Sequence, residues 1–331
     1  MRAIWRDTAD LRKVRALVTG ATGFVGQWLC KELLERGWDV VGMTHEVGTV
    51  ATLTGDEYQR VSWLPSDIRQ PASIRAAIDA SSPHAIFHLA GVSFVPAAAE
   101  DPGSALDVNV SGAARLLAEV RARRIAGKLD PVVLVVGSGL QYGRQDSSAL
   151  PLRENAEQRP LDLYAASKAA QEIVALEAFR SDGVRVIATR SFNHSGPGQD
   201  RQFLIPRLVR RALDLRISGE SVISLGNTAP VRDFLHVEDV VRAYIALAEH
   251  GVPGEAYNVA SGVGHSVRSI AERLLLLAGV RAELRSDPSL QRSADIPVLI
   301  GDSSKLRLAT HWTPLKTLDD IITDLLNASP D

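Results

Sequence analysis

The fold is decided near the start of the chain, where residues 14–26 read VRALVTGATGFVG. The apolar run from Val14 to Thr19 predicts a buried strand, and apolar side chains at helical spacing from Phe24 to Arg36 predict a helix. Three glycines lie in the turn that joins the two elements: Gly20, Gly23 and Gly26. A strand, a glycine-rich turn and a helix in this order predict the first unit of an alternating α/β sheet.

The same three glycines predict a turn that binds an anion. The first allows the tight turn, the second lets the backbone approach a pyrophosphate, and the third lets the helix pack closely on the strand. The free amides at the N-terminus of the helix then bind the anion. We therefore expect a dinucleotide at this turn, with Phe24 and Val25 also in contact with it.

Strand and helix patterns continue to alternate after this turn. The run from Val132 to Val136 is typical of a central strand that is buried on both faces. The predicted strands are 14–19, 39–43, 61–64, 85–89, 132–136 and 184–189, and the predicted helices are 24–36, 74–80, 105–124 and 163–181. This order predicts the α/β class, with a Rossmann-type doubly wound parallel sheet and right-handed crossovers.

The pattern loosens after Arg190, which predicts a smaller C-terminal lobe that binds the substrate. Helices are expected near 204–215, 237–249, 266–278 and 318–326, and strands near 222–225 and 256–259. We expect an N-terminal extension at 1–13, a sheet domain at 14–191 to which 236–260 return, and a lobe made of 192–235 and 261–331. Ligands of open α/β sheets bind at the carboxyl edge, so the substrate site is expected where the lobe covers that edge.

Composition limits the functional classes. The 331 residues are 45% apolar and 23% charged, with a formal charge of −2, which gives no support for a nucleic-acid or membrane-surface binder. A single cysteine, Cys30, excludes an internal disulfide framework and a cysteine-based zinc site, and we expect no metal. With no long apolar run and no signal-like N-terminus, a cytoplasmic protein without a membrane segment is expected.

The residues after the second strand bear on which dinucleotide binds. An NAD site usually has an acidic side chain there for the ribose hydroxyls, whereas this chain has Thr44 and His45. The missing carboxylate favours NADP, with its 2′-phosphate near these two residues, and leaves NAD as the alternative. Asp67 and Ile68, after the third strand, are placed to contact the adenine, although Asp67 also fits a helix or turn cap.

A second motif predicts proton transfer beside the dinucleotide. Tyr164 and Lys168 are four residues apart on a predicted helix and therefore lie on one face of it. The Lys charge is expected to lower the pKa of the phenol, and the same ammonium can hold a ribose. Ser138 follows the central strand, where its hydroxyl can share the substrate oxygen with Tyr164. We predict these three residues to be catalytic.

These motifs resemble the extended short-chain dehydrogenase/reductases over residues 14–327. Beside the glycine turn and the Tyr–Lys pair, the likeness rests on these segments: His88 to Gly91, Asn109, and Ser138 to Gly143. Within that family the chain is most similar to the branch that acts on GDP-mannose-derived sugars. That closer likeness rests on these segments: Arg190 to Gln199, Gly226–Asn227, Val231 to Phe234, Tyr257 to Val259, Asp287–Pro288 with Arg292, and Ile300 to Asp302.

The resemblance implies contacts for two ligands. The residues implied for the cofactor, in addition to those above, are Leu89, Ala90, Gly91, Phe192 and His194. Those implied for a nucleotide sugar are Ser93, Asn193, Arg207, Asn227, Arg232 and Arg292. Arg232 and Arg292 are implied to bind the diphosphate, for which a guanidinium is suited. The family usually has Pro after the last of these, where this chain has Ser293.

The resemblance also implies a reaction, namely NAD(P)H-dependent reduction of the C4 ketone of a GDP-4-keto-6-deoxy sugar, as in the formation of GDP-D-rhamnose. The 4,6-dehydratases of the same branch need an extra acid/base just after the catalytic Ser or Thr. Here those positions are Gly139, Leu140 and Gln141, none of which titrates usefully. A dehydratase that takes its carboxylate from elsewhere, a 4-epimerase, and a dinucleotide-binding sensor or scaffold stay as alternatives.

The two long predicted helices, Ala105–Arg124 and Leu163–Ser181, carry apolar side chains on more than one face. Family members commonly pair these helices between subunits. A homodimer through a four-helix bundle is therefore expected.

Overall fold

The computed structural model describes residues 13–45, 52–219, 221–287 and 296–328. Its main element is a seven-stranded sheet in which every neighbouring pair is parallel. In chain order the strands of this sheet are β1 (Arg15–Thr19), β2 (Asp39–Thr44), β3 (Ser62–Pro65), β4 (Ala85–His88), β5 (Val132–Ser138), β6 (Val186–Ser191) and β10 (Ala256–Val259). The strand order β10-β6-β5-β4-β1-β2-β3 reverses at β1, which confirms the predicted doubly wound sheet.

The remaining strands are short and lie mainly in the C-terminal half. They are β7 (Asn193–Ser195), β8 (Val222–Leu225), β9 (Val231–His236), β11 (Gly264–Ser266), β12 (Glu283–Ser286) and β13 (Val298–Leu299). β9 pairs with β7, β11 and β13, and β8 pairs with β12.

Helices cover both faces of the main sheet and form the lobe. They are α1 (Phe24–Glu35), α2 (Gly55–Arg60), α3 (Pro71–Ser81), α4 (Val95–Glu100), α5 (Pro102–Leu106), α6 (Gly112–Ile125), α7 (Leu163–Asp182), α8 (Leu204–Ser218), α9 (Val237–His250), α10 (Val267–Leu277), α11 (Ser304–Thr310) and α12 (Leu318–Ala328).

Alternate residues of each central strand enter different cores, because successive strand side chains point to opposite faces. In β1, Ala16 and Val18 pack with α1 and α9, whereas Leu17 packs with α3, α6 and α7. A third core lies between α8, α10 and α12 of the lobe. Because both faces of the sheet are covered by helices, ligands can approach the sheet only at its ends.

The turn after β1 requires its glycines for steric reasons. Gly20 has a φ of +67°, and a Cβ there would lie 2.9 Å from the amide nitrogen of Ala90. A Cβ on Gly26 would lie 2.2 Å from the carbonyl oxygen of Gly20. Larger residues at these two positions would therefore push α1 away from β1 and β4.

The long helix predicted over 105–124 is interrupted. α5 ends at Leu106, residues 107–111 form a π-helical segment, and α6 begins at Gly112. The wider turn directs Asn109 inward, where its amide donates to Ser167 Oγ at 2.8 Å and accepts from the Val92 amide at 2.8 Å. The prediction of one continuous helix was wrong. A π-helical turn holds more residues than an α-helical turn, and the apolar pattern of the sequence does not show that difference.

Candidate active site

A cavity of about 900 Å³ lies at the carboxyl edge of the main sheet, between that edge and the lobe. Its lining brings together residues from the ends of β1, β4, β5 and β6. The predicted site residues that line it are Gly20, Gly23, Phe24, Val25, Gly26, Leu89, Ala90, Gly91, Ser93, Ser138, Tyr164, Lys168, Phe192, Asn193, His194, Arg207, Asn227 and Arg232. Residues as far apart in the chain as Gly20 and Arg232 thus face one space.

Ser138 and Tyr164 meet through their side chains. Ser138 is the last residue of β5, and Tyr164 lies in the first turn of α7, which Asp162 caps by accepting from the Ala165 amide at 2.8 Å. The Ser138 hydroxyl accepts from the Leu140 amide at 3.2 Å, and its position near the Tyr164 phenol lowers the pKa of that phenol. Burial acts in the opposite direction and is stronger, so the pKa of Tyr164 is raised from its ordinary value.

The predicted lowering of the Tyr164 pKa is therefore not found, because burial raises that pKa and Lys168 is not among the groups that lower it. The Lys168 ammonium is bound elsewhere, because its Nζ donates to the Val136 carbonyl at 2.9 Å and to Gln171 Oε1 at 3.0 Å. Burial lowers the pKa of Lys168 itself to about 8. A raised phenol pKa keeps Tyr164 protonated at neutral pH, which suits a proton donor better than a phenolate would.

Behind Ser138 lies a buried polar network that the sequence did not indicate. Gln141 Oε1 accepts from the Ser138 amide at 2.6 Å, and Gln141 Nε2 donates to Glu172 Oε2 at 2.9 Å. Glu172 is in turn bound by Arg190 on β6, and Arg190 also donates to the Tyr142 hydroxyl at 2.9 Å. This network fixes the backbone that carries Ser138. Gln141 is thereby directed away from the cavity, whereas Gly139 and Leu140 line it.

The residues predicted for the adenosine end lie outside the cavity lining. Thr44 is buried and its hydroxyl lies 2.9 Å from that of Thr22. Asp67 caps its turn by accepting from the Arg69 amide at 2.8 Å, so its capping role is realised. His45 Nε2 lies 3.7 Å from Asp67 Oδ2 and 3.3 Å from an Arg69 guanidinium nitrogen. Ile68, the fourth of these predicted residues, is 7% exposed and packs in the core.

Arg69 was not predicted from the sequence. It is a cationic side chain beside His45, where the 2′-phosphate is predicted and where no cation was expected. Its Nε lies 3.0 Å from both carboxylate oxygens of Asp67, and this guanidinium lowers the pKa of the Asp67 carboxyl. Parallel pairing of β2 with β3 places it there, since Thr44 is opposite Pro65. The signal available in the sequence was a basic residue two positions after the predicted adenine-contacting Asp.

The lobe contributes the guanidinium groups. Arg232 Nη1 donates to the carbonyl oxygens of Val231 at 2.9 Å and Ile296 at 2.6 Å, which holds its side chain at the wall of the cavity. Arg207 is joined there by Arg211, one turn further along α8, which the sequence analysis did not single out. The predicted Arg292 lies outside the described residues.

One set of possible metal ligands occurs in the described part of the chain, and it lies away from this cavity. A ring nitrogen of His236 and carboxylate oxygens of Glu238 and Asp324 lie within 4.8 Å of one another. The Lys316 ammonium lies 3.0 Å from the Asp324 carboxylate and 3.6 Å from that of Glu238. These carboxylates thus already have a cation, and the absence of a bound metal stays a prediction.

The cavity fits a dinucleotide at its glycine-lined end. The N-terminal turn of α1 has no acidic side chain, and a Cβ on Gly91 would lie 2.8 Å from Asn109 Oδ1 and 3.3 Å from Lys168 Nζ. The first feature favours close approach of an anionic ligand to the backbone, and the second shows that Asn109 and Lys168 need a glycine at position 91 to lie as close as they do. Of the described helices, none has the length and apolar character needed to cross a membrane.

Fold and site together define an NAD(P)-dependent enzyme of the extended short-chain dehydrogenase/reductase class. The chain belongs to the GDP-mannose 4,6 dehydratase family, whose model matches residues 17–325. It is 32% identical over 316 residues to the GDP-6-deoxy-D-mannose reductase of Pseudomonas aeruginosa, covering 95% of this chain and 96% of that protein. The predicted family resemblance is thereby confirmed.

Two further comparisons agree with this family assignment. The GDP-6-deoxy-D-talose 4-dehydrogenase of Aggregatibacter actinomycetemcomitans is 30% identical over 294 residues, covering 88% of this chain and 90% of that protein. The solved structure of RMD from Pseudomonas aeruginosa complexed with NADPH superposes with a TM-score of 0.80 at 31% identity, covering 95% of this chain and 98% of that one.

Proposed function

We propose that this protein catalyses the NADPH-dependent reduction of the C4 ketone of a GDP-4-keto-6-deoxy sugar, as in the conversion of GDP-4-keto-6-deoxy-D-mannose to GDP-D-rhamnose. The observation that carries this proposal is that Ser138, Tyr164 and Lys168 line one cavity, in which Gly139 and Leu140 stand in place of an acid/base. The likeness to a GDP-6-deoxy-D-mannose reductase over nearly the whole chain supports the same activity.

The side chains divide the chemistry between them. The bound dinucleotide supplies the hydride. Tyr164, kept protonated by its raised pKa, gives its proton to the oxygen at C4, and Ser138 orients that oxygen through its own hydroxyl. Lys168, with two of its three N–H groups directed to protein acceptors, holds the nicotinamide ribose with the third.

Leu140 is the residue that favours a reductase over a dehydratase. Elimination of the C6 hydroxyl requires a group that removes a proton from C5, and a leucine side chain has none to offer. General acid/base catalysis contributes roughly 10²–10⁴-fold to a rate, so a site without it is a poor dehydratase. The buried Glu172 does not replace it, because both of its oxygens are bound by Arg190 and by glutamine amides.

NADP is the cofactor that the adenosine end supports. The end of β2 and the position after it hold Thr44 and His45, and Arg69 brings a guanidinium within 3.3 Å of His45. A ribose 2′-phosphate placed against His45 and Arg69 would meet a donor pair instead of the carboxylate that typical NAD sites carry. The NADPH complex of the Pseudomonas structure is consistent with this preference.

Recognition of the GDP moiety is assigned to the lobe. Arg207 and Arg232 face the cavity and provide guanidinium forks that suit a diphosphate, with Asn193 and Asn227 of the lobe and Ser93 of the sheet domain as polar contacts for the sugar and base. Because the core between α8, α10 and α12 is separate from the two cores of the sheet, we keep 192–235 and 261–331 as the substrate lobe.

A homodimer and a cytoplasmic location are part of the proposal. On α7, Ile173 exposes 62% of its surface, and Leu106 at the end of α5 exposes 41%, which favours a partner on this face. Cys30, the lone cysteine, is buried within α1, as expected of a protein that does not rely on disulfides.

Turnover with defined substrates tests the proposal. The protein is incubated with NADPH and GDP-4-keto-6-deoxymannose while nicotinamide absorbance is followed, and Tyr164→Phe serves as the matched control. Oxidation of NADPH well above that control is expected, and the configuration of the product at C4 distinguishes a rhamnose from a talose type. An unchanged absorbance would leave the sensor or scaffold alternative. A keto product from GDP-mannose alone would indicate the dehydratase.

A further inference from the structure

Gln171 is a close neighbour of Lys168 that has no part in the activity described above. It lies three residues further along α7, is fully buried, and accepts a hydrogen bond from Lys168 Nζ on its Oε1 at 3.0 Å. An ammonium can only donate, so the amide must turn its oxygen toward Lys168. The second protein acceptor of this ammonium is the backbone carbonyl of Val136 at 2.9 Å.

The other end of the same amide is unsatisfied. Gln171 Nε2 is buried, and no acceptor among the described residues lies within hydrogen-bond reach of it. A buried amide N–H without a partner destabilises a fold, and an apolar side chain would fill this place without that loss. What Gln171 adds over such a side chain is the carbonyl oxygen that it presents to Lys168.

Among the described residues, the charged and titratable groups around Lys168 give it no counter-ion. From β4, the fully buried His88 stays neutral, because burial and the nearby ammonium lower its pKa to about 3. On α7 itself, Tyr164 stays protonated, and the carboxylate of Glu172 is bound to Arg190. Asn109 and Ser167, which come close from the π-helical segment and α7, are neutral and bonded to each other. The ammonium therefore depends on carbonyl oxygens for its stabilisation.

We propose that Gln171 is a positioning residue, whose side-chain carbonyl keeps Lys168 protonated and directed into the cavity. The inference rests on the proposed function in one respect, that Lys168 holds the nicotinamide ribose through its charged form. Hydrogen bonds to the charged form of a group favour that form. Since burial already lowers the pKa of Lys168 to about 8, removal of this acceptor moves the loss of charge toward neutral pH.

The test measures NADPH affinity against pH, which depends on Lys168 and not on the identity of the sugar. The dissociation constant is determined by nicotinamide fluorescence from about pH 6.5 to about pH 10, a range that includes the pKa of Lys168 at about 8. The variants are Gln171→Leu, which removes the acceptor, and Gln171→Glu, which keeps an acceptor and adds a charge. Gln145→Leu is the control, because it loses hydrogen bonds to Tyr142 and Glu157 backbone oxygens away from Lys168.

Wild-type affinity is expected to fall as pH rises through the pKa of Lys168. In Gln171→Leu the midpoint of that fall should be about one pH unit lower, and in Gln171→Glu it should be higher than in the wild type. Gln145→Leu should keep the wild-type midpoint. A normal midpoint in a folded Gln171→Leu protein, or a lowered one in Gln171→Glu, would overturn the proposal. If the leucine variant does not fold, the direction of the shift in the glutamate variant decides.

The role of Gln171 and the reductase activity can each be refuted without refuting the other. A protein that binds NADPH with these midpoints but reduces no GDP-4-keto sugar supports the role of Gln171 and refutes the reductase assignment. A protein that reduces the sugar with a midpoint independent of residue 171 does the reverse.

Discussion

The guanidinium of Arg190 binds both oxygens of the Glu172 carboxylate, with Nη2 at 2.6 Å from Oε1 and Nε at 2.9 Å from Oε2. Both side chains are almost completely buried, at 7% and 5% exposure. The same carboxylate accepts from Gln141, which binds the backbone amide of Ser138. The pair therefore connects strand β6 and helix α7 to the loop that presents the Ser138 hydroxyl.

Replacement of one member should leave the other charge buried without its partner. We expect Glu172→Gln to lower the free energy of unfolding by about 3–5 kcal/mol, the usual effect of breaking a buried pair. Urea unfolding at neutral pH measures this. Glu177→Gln is the matched control on the exposed side of the same helix and should change stability little. A Glu172→Gln protein as stable as that control would show that the pair is not an essential part of the fold.

Tyr164→Phe should affect chemistry and not cofactor binding. The ring keeps its packing, but the phenol hydroxyl that donates a proton is lost. We expect kcat to fall by about 10²–10⁴-fold, as for the loss of a general acid, with the dissociation constant of NADPH unchanged. Steady-state kinetics and fluorescence titration separate these two effects. A kcat within a few-fold of the wild type would assign the proton to another group.

The sequence predicted those parts of the site that depend on local spacing. The turn at Gly20 to Gly26 and the pair Tyr164 and Lys168 each lie within one short segment, where strand and helix periodicity determines which side chains face each other. The order of strands and helices similarly predicted the doubly wound sheet, because few topologies satisfy short right-handed crossovers.

Contacts between distant segments could not be predicted in this way. Gln141 meets Glu172 across 31 positions, and Arg69 meets His45 across 24. The first depends on how α7 packs on β5 and the second on the register of β2 with β3. Helix α2 was missed for a different reason, since none of its residues is buried and a capping box between Thr54 and Glu57 defines its start instead of an apolar face.

Arg69→Ala should discriminate between the two dinucleotides. The change removes a guanidinium from beside His45 and leaves the Asp67 carboxylate uncompensated, so a 2′-phosphate would meet a negative group. We expect the dissociation constant of NADPH to rise by about tenfold while that of NADH stays nearly constant, because charge-assisted bonds to phosphate are strong. Arg75→Ala, which breaks the exposed pair with Glu119, is the control. An equal loss for both dinucleotides would place the 2′-phosphate elsewhere.

Ile173→Asp should separate the proposed dimer. Ile173 exposes 62% of its surface on α7, and a carboxylate there would have to be desolvated in a helical bundle between subunits. Light scattering at micromolar concentration should report half the wild-type mass. Leu308→Asp, at 77% exposure on α11, should keep the wild-type mass. A monomeric wild type, or a dimer that survives Ile173→Asp, would contradict the proposed interface.

His88 should make the fold sensitive to mild acid. Burial, followed by the nearby Lys168 ammonium, lowers its pKa in the folded state to about 3 from an ordinary 6.5, while its Nδ1 lies 2.9 Å from the Thr19 hydroxyl. Below pH 6.5 this histidine is therefore protonated in the unfolded chain but stays neutral in the folded protein. The free energy of unfolding decreases as pH falls below that value. Between about pH 7.5 and about pH 5.5 this one residue should remove about 1.4 kcal/mol of stability.

His88→Asn keeps a polar atom for Thr19 and does not titrate. Urea unfolding at the two pH values should therefore show a decrease in stability that is smaller in the variant by that amount. Other histidines whose pKa is lowered, such as His194 and His236, act equally in both proteins and cancel in the difference. The same acid loss in wild type and variant would mean that His88 does not stay neutral in the folded protein.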